Sequence, residues 1–194
     1  MTSGNNLFKL DAGTLALAGT NAVESMDIDG GTNIITGNTT LNGNGVGYDR
    51  FYLGDGDTIA NCSGTLIIQP GAAFSVTGNF YDSFVIGRDS GSGTVIQNGG
   101  ILTFNCNQQY LWVGATSEAG TTAAYYMNGG LLDMSGNTLG IALGNGVLTT
   151  CVAVSYTHLD VYKRQHPMVP AFSANRSTKS RCCTVDGTVG RTAL

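Results

Sequence analysis

The sequence predicts an all-β protein, a right-handed parallel β-helix (β-solenoid) with coils of roughly 27–33 residues. Three observations carry this. Two short motifs recur in constant order at a near-constant period. Within each motif apolar residues alternate with polar or variable ones. Glycine is abundant, 29 of 194 residues, which would be costly in helices, and no helical period is present.

The first motif is QPGAAFSV from Gln69, QNGGILTF from Gln97 and MNGGLLDM from Met127, at steps of 28 and 30 residues. The second ends on glycine: FYLG at Gly54, FVIG at Gly87, LWVG at Gly114 and IALG at Gly144, at steps of 33, 27 and 30. Side chains two apart on a strand share a face. In the first motif the pairs Phe74/Val76, Leu102/Phe104 and Leu132/Met134 are apolar, and Ser75, Thr103 and Asp133 lie between them. In the second, Phe51/Leu53, Phe84/Ile86, Leu111/Val113 and Ile141/Leu143 form the constant face, while Tyr52, Val85, Trp112 and Ala142 vary. The constant face is read as inward. A third strand precedes each NGG-like turn: GTLIIQ from Gly64, GTVIQ from Gly93 and the AAYYM run from Ala123.

The NG dipeptide in TVIQ-NG-GILTF supports an alternative, an antiparallel sandwich or meander, because NG between alternating strands is a hairpin signal. The repeat favours the solenoid. In stacked coils equivalent residues lie about 4.8 Å apart, so like packs on like. Residues 1–150 are read as the repeat region. Within it, 45–150 is regular, and 1–44 holds degenerate coils carried by GTLALAG and GTNIITGNTTLNGNG. Neither end shows a cap, MTSGNN lacks a signal-peptide pattern, and no segment is long enough to span a membrane. Uncapped coils leave open strand edges. The chain is therefore expected to be an internal piece of something longer, with more repeats at both ends.

The pattern GTVIQNGGILTF…LWVGATSEAGTTAAYYMNGGLLDM resembles the β-strand repeats of bacterial autotransporter passenger domains over residues 45–147. The resemblance implies a non-enzymatic structural or adhesive segment of a large secreted or surface-displayed bacterial protein. The alternative function is a fragment of a carbohydrate-active β-helix enzyme, a polysaccharide lyase or hydrolase.

Composition changes near residue 150. Residues 1–150 hold three bases and eleven acids, whereas 151–194 hold six bases and two acids, and 27 of the 29 glycines lie before 151. A basic tail can bind nucleic acid. However, SYTHLDVYKRQ, at 155–165, resembles a conceptual translation of sequencing-adaptor DNA. That resemblance implies a tail, 151–194, that is no part of the fold, and no nucleic-acid partner is assigned. His158 and His166, the only histidines, fall in this tail.

Four groups of residues are weighed as sites. Asp55 and Asp57 flank a glycine bend and offer oxygen ligands to Ca²⁺. No third acid follows within the loop, so a solvated turn is preferred. Asp49 and Asp82 align in one column, as stacked acids would in a polysaccharide-cleaving solenoid. The column then ends in neutral Gln109 and Leu139, which favours a structural ladder. Trp112 and Tyr52 share an outward column, where aromatic faces can stack on the sugar rings of a cell-surface or extracellular carbohydrate. Packing under a loop is the preferred role for them. Cys62, Cys106 and Cys151 follow no disulfide or zinc spacing and read as small buried apolar residues. No catalytic, cofactor-binding or metal residue is assigned.

Overall fold

The computed structural model describes residues 5–44, 51–57, 59–79, 84–106, 110–115, 120–137, 140–144 and 150–155. They contain seventeen strands and no helix, so none is long and apolar enough to cross a membrane. Every described strand lies in the first of the chain's two units, Met1–Arg164.

The strands follow one another around three parallel sheets. Sheet A stacks β1 (Asn6–Lys9), β4 (Ser25–Ile28), β7 (Phe51–Asp55), β10 (Phe84–Arg88), β13 (Leu111–Val113) and β16 (Ile141–Leu143). Sheet B stacks β2 (Thr14–Leu17), β5 (Gly30–Ile35), β8 (Ser63–Ile68), β11 (Ser92–Gln97), β14 (Thr122–Met127) and β17 (Thr150–Ser155). Sheet C stacks β3 (Thr20–Val23), β6 (Asn38–Asn44), β9 (Ala73–Asn79), β12 (Ile101–Cys106) and β15 (Leu131–Asp133). Each turn of chain visits A, B and C once, which is a parallel β-solenoid.

The register reproduces the motif columns. Phe84 pairs with Phe51 and with Leu111, and Leu111 with Ile141. Leu102 pairs with Phe74 and with Leu132. The hairpin alternative is overturned, because β11 and β12 lie in different sheets and the Asn98–Gly100 bend is a corner between them. Gly100 has φ +68°, and a Cβ there would collide with the Ala72 carbonyl oxygen of the preceding coil. The corner needs glycine for conformation and for space alike.

The inward face is the core. Phe51, Leu53, Phe74, Phe84, Ile86, Leu102 and Phe104 are fully buried. Phe51 and Phe84 stack with centroids 3.9 Å apart, and Phe104 meets Phe84 edge-on at 5.8 Å. The last copy of the column differs. Ile141 and Leu143 are 47% and 41% exposed, since β16 has a strand on one side only among the described residues.

Two further differences from expectation concern coil length and the tail. Asn6 pairs with Ser25, a step of only 19 residues, so the first coil is shorter than 27–33; the next coil steps 25 residues on sheet A, from Met26 to Phe51, but 33 on sheet B, from Thr32 to Thr65. The first coil's corners use few residues; β2 and β3 are joined by Ala18 and Gly19 alone. Strand β17 runs across the expected boundary at 150/151, pairing in parallel from Thr122↔Thr150 to Met127↔Ser155. Residues 156–194, with His158 and His166, lie outside the described residues.

Candidate functional site

The densest polar cluster is the corner between sheets A and B. Each sheet A strand ends at a bend, and equivalent bends stack. Gly54 and Gly87, the last letters of FYLG and FVIG, have φ of +74° and +70°. A Cβ on Gly54 would run into the Ser92 carbonyl oxygen. This bend explains why the motif closes on glycine.

The residues that follow are charged. Asp29 follows β4, Asp55 ends β7 and Arg88 ends β10, with Arg88 directly paired to Asp55. The Asp55 backbone N–H donates to Asp29 Oδ1 at 2.8 Å, and the Asp57 N–H donates to Asp55 Oδ1 at 3.1 Å. The Arg88 guanidinium reaches three carboxylates: Asp55 Oδ2 at 3.5 Å, Asp57 Oδ2 at 3.2 Å and Asp89 Oδ2 at 2.8 Å. Its Cζ lies over the Tyr52 ring, 4.9 Å from the centroid. Burial opposes the charge on Arg88, but Tyr52 and the carboxylates of Asp55, Asp89 and Asp57 outweigh it and raise its pKa. Asp89 and Ser90 adopt left-handed φ of 47° and 67°, and the Ser90 N–H donates to Thr121 Oγ1 of the next coil at 3.0 Å.

The third acid that loop spacing did not supply therefore comes from the next coil. Oxygens of Asp55, Asp57 and Asp89 lie within 4.8 Å of one another. Calcium takes six to eight oxygen ligands, and here Arg88 already engages one oxygen of each carboxylate. A general acid or base must reach the scissile bond; the Asp55 side chain is only 1% exposed, whereas Asp57 is 63% exposed. The arrangement ties three coils together at their shared corner.

The other sequence candidates divide. Tyr52 and Trp112 share one outward column through Val85, but their surroundings differ. Tyr52 is 3% exposed beneath Arg88, which removes it as a sugar platform. Trp112 is half-buried and packs against Tyr110, centroids 5.3 Å apart. Asp49, Asp82, Gln109 and Leu139 lie outside the described residues, as does the Cys151 side chain.

Cys62 and Cys106 are buried and free. Burial, then the carboxylates of Asp29 and Asp55, push the Cys62 thiol up to about 11, and burial pushes Cys106 up to about 12. At pH 8 the Cys62 thiolate is then roughly a thousandfold rarer than its thiol. Peptide mapping after maleimide labelling at pH 8 is expected to find both cysteines unmodified in the folded chain and modified in urea. Both folded pKa values lie above the ordinary 9.0. The stability carried by the protonated thiols is thus fully present below about pH 9 and lost as pH rises through 11 and 12. Labelling of Cys62 in native buffer would contradict the assignment.

Sequence reasoning misses the outer face of sheet B. Its strands begin GTLAL, GTNII, GTLII and GTVIQ, and the recurring GT is the signal that could have found it. Thr14, Thr32, Thr65 and Thr94 stack in one outward column, with Ala124 next. Ala16, Ile34, Ile67, Ile96 and Tyr126 stack in the column beside it. Hydroxyls border one side, where Thr122 Oγ1 donates to Ser92 Oγ at 2.7 Å. Amides border the other, where Asn128 Nδ2 donates to Asn98 Oδ1 at 2.9 Å. No Asp, Glu, Lys, Arg or His occurs in β2, β5, β8, β11 or β14.

No family model, curated protein or solved structure matches this chain.

Proposed function

We propose that the chain is a non-enzymatic structural and adhesive segment of a large secreted or surface-displayed bacterial protein, a stalk of the autotransporter-passenger kind. The observation that carries this reading is the corner chemistry. The closest-set acids among the described residues are engaged by Arg88 and bind coil to coil, which is a scaffold's use of charge. The parallel register supports it, since identical columns repeat along an axis and supply length and surface. Ile141 and Leu143, exposed at positions buried in earlier coils, offer a surface on which another coil can stack. Display on a cell surface rests on the resemblance of the repeats around 93–134 to passenger-domain strands.

Incubating the full chain with pectin, alginate and β-glucan, with and without Ca²⁺, is expected to release neither reducing ends nor unsaturated products. Turnover that disappears in Asp57→Asn or Asp89→Asn would replace this reading with that of a polysaccharide lyase or hydrolase.

A further inference from the structure

We propose that the outer face of sheet B binds a neutral polysaccharide chain laid along the solenoid axis. The inference rests on the non-enzymatic reading above and names the surface and ligand class for its adhesive role.

The argument begins with period. Parallel in-register pairing puts an equivalent rank of side chains every ~4.8 Å along the axis. Thr32/Ile34, Thr65/Ile67 and Thr94/Ile96 are three such ranks in succession, with half-buried side chains on the outward side. A surface that repeats along a line presents the same contacts to each unit of a linear polymer. Cross-section comes next. Each rank offers a hydroxyl, which both donates and accepts, beside a branched aliphatic group, and the Asn98–Asn128 amides follow the Thr94/Ile96 rank and its neighbour. A pyranose ring has the complementary section, an apolar C–H face with hydroxyls at its rim. Charge decides between polymers. The strands of this face bring no ionisable group except Tyr126, so an anionic polymer would be desolvated without a counter-charge, at a cost that a neutral chain avoids. A protein partner would be favoured by a broad apolar patch; here the aliphatic residues are confined to a single column flanked by the threonine column.

The test is affinity electrophoresis of the full chain through gels cast with hydroxyethylcellulose or with polygalacturonate. Retardation is expected in the neutral glucan only, unchanged by about 0.5 M NaCl because no ion pair contributes. The double variants Thr65→Lys/Ile67→Lys and Thr94→Lys/Ile96→Lys place unpaired charge on the face in different coils. Each is expected to weaken retention about tenfold. Ser75→Lys/Thr103→Lys, with the same charge on sheet C, is expected to bind as the parent does. Far-UV circular dichroism identifies any variant that has not folded, and the other sheet B variant then decides. Equal retention of the sheet B and sheet C variants would overturn the proposal. So would retardation by polygalacturonate alone, or a dimer in sedimentation velocity that Thr65→Lys/Ile67→Lys dissolves. Absence of retardation with no product release would sink the binding face yet leave the scaffold reading intact, whereas released reducing ends would sink the scaffold reading itself.

Discussion

Replacing Phe84 with alanine is expected to lower the free energy of unfolding by about 3–5 kcal/mol, the range for deleting a buried phenylalanine. Phe84 is 2% exposed. Its ring stacks on Phe51 at 3.9 Å with an interplanar angle of 14°, tilts against Phe74 at 6.5 Å and meets Phe104 at 5.8 Å. Deleting it opens a void between two sheets and between adjacent coils, and backbone ladders on both sides keep those coils from closing on it. Urea unfolding followed by far-UV circular dichroism measures the loss. Thr103→Ala is the control; it faces outward from sheet C and should change stability by less than about 0.5 kcal/mol. A loss at Thr103 equal to that at Phe84 would mean that the inward and outward faces are assigned the wrong way round.

That facing is legible in the amino-acid sequence for a physical reason. Stacked coils make one column out of residues some thirty positions apart, so apolar character in one coil is repeated in most of its neighbours. Phe51, Phe84 and Leu111 show it in sheet A, and Phe74 and Leu102 in sheet C. The corners are less legible, because their contacts cross from one coil to another. Asp55 and Asp57 read as an isolated pair along the chain, although alignment of the FYLG and FVIG glycines sets Arg88 on Asp55 and Asp89 one residue beyond. Tyr52 occupies the column that its motif position predicts, but its burial comes from the arginine that ends the next coil's strand.

The inner columns also hide polar exceptions. Gln97 stands among Ile35, Ile68 and Met127, fully buried. Its amide is satisfied by a bond donated from Tyr125 Oη and by its own donation to the Leu131 carbonyl at 2.9 Å. Burial in turn raises the Tyr125 pKa. Asn33 stands in the column of Leu66 and Val95 and donates to Met26 Sδ, at 3.7 Å. A pattern of apolar alternation identifies neither residue, because each depends on a partner in another strand.

The corner itself gives the second large effect. Arg88→Met keeps most of the side chain's apolar stem but removes the guanidinium from Asp55, Asp57 and Asp89. Removing one partner of a fully buried ion pair costs about 3–5 kcal/mol. Arg88 is partly exposed, and Asp57 reaches well into solvent, so screening reduces the expectation to roughly 2–3 kcal/mol. Arg88→Lys should recover only part of this, since one ammonium cannot reproduce the fork that serves three carboxylates. A double-mutant cycle separates electrostatics from lost packing. In an Asp57→Asn/Asp89→Asn background two of the three acidic partners of the guanidinium are already neutral. The loss of melting temperature caused by Arg88→Met should therefore be smaller there than in the parent. An equal loss in both backgrounds would mean that Arg88 acts by covering Tyr52, and that these carboxylates contribute nothing to holding the coils in line.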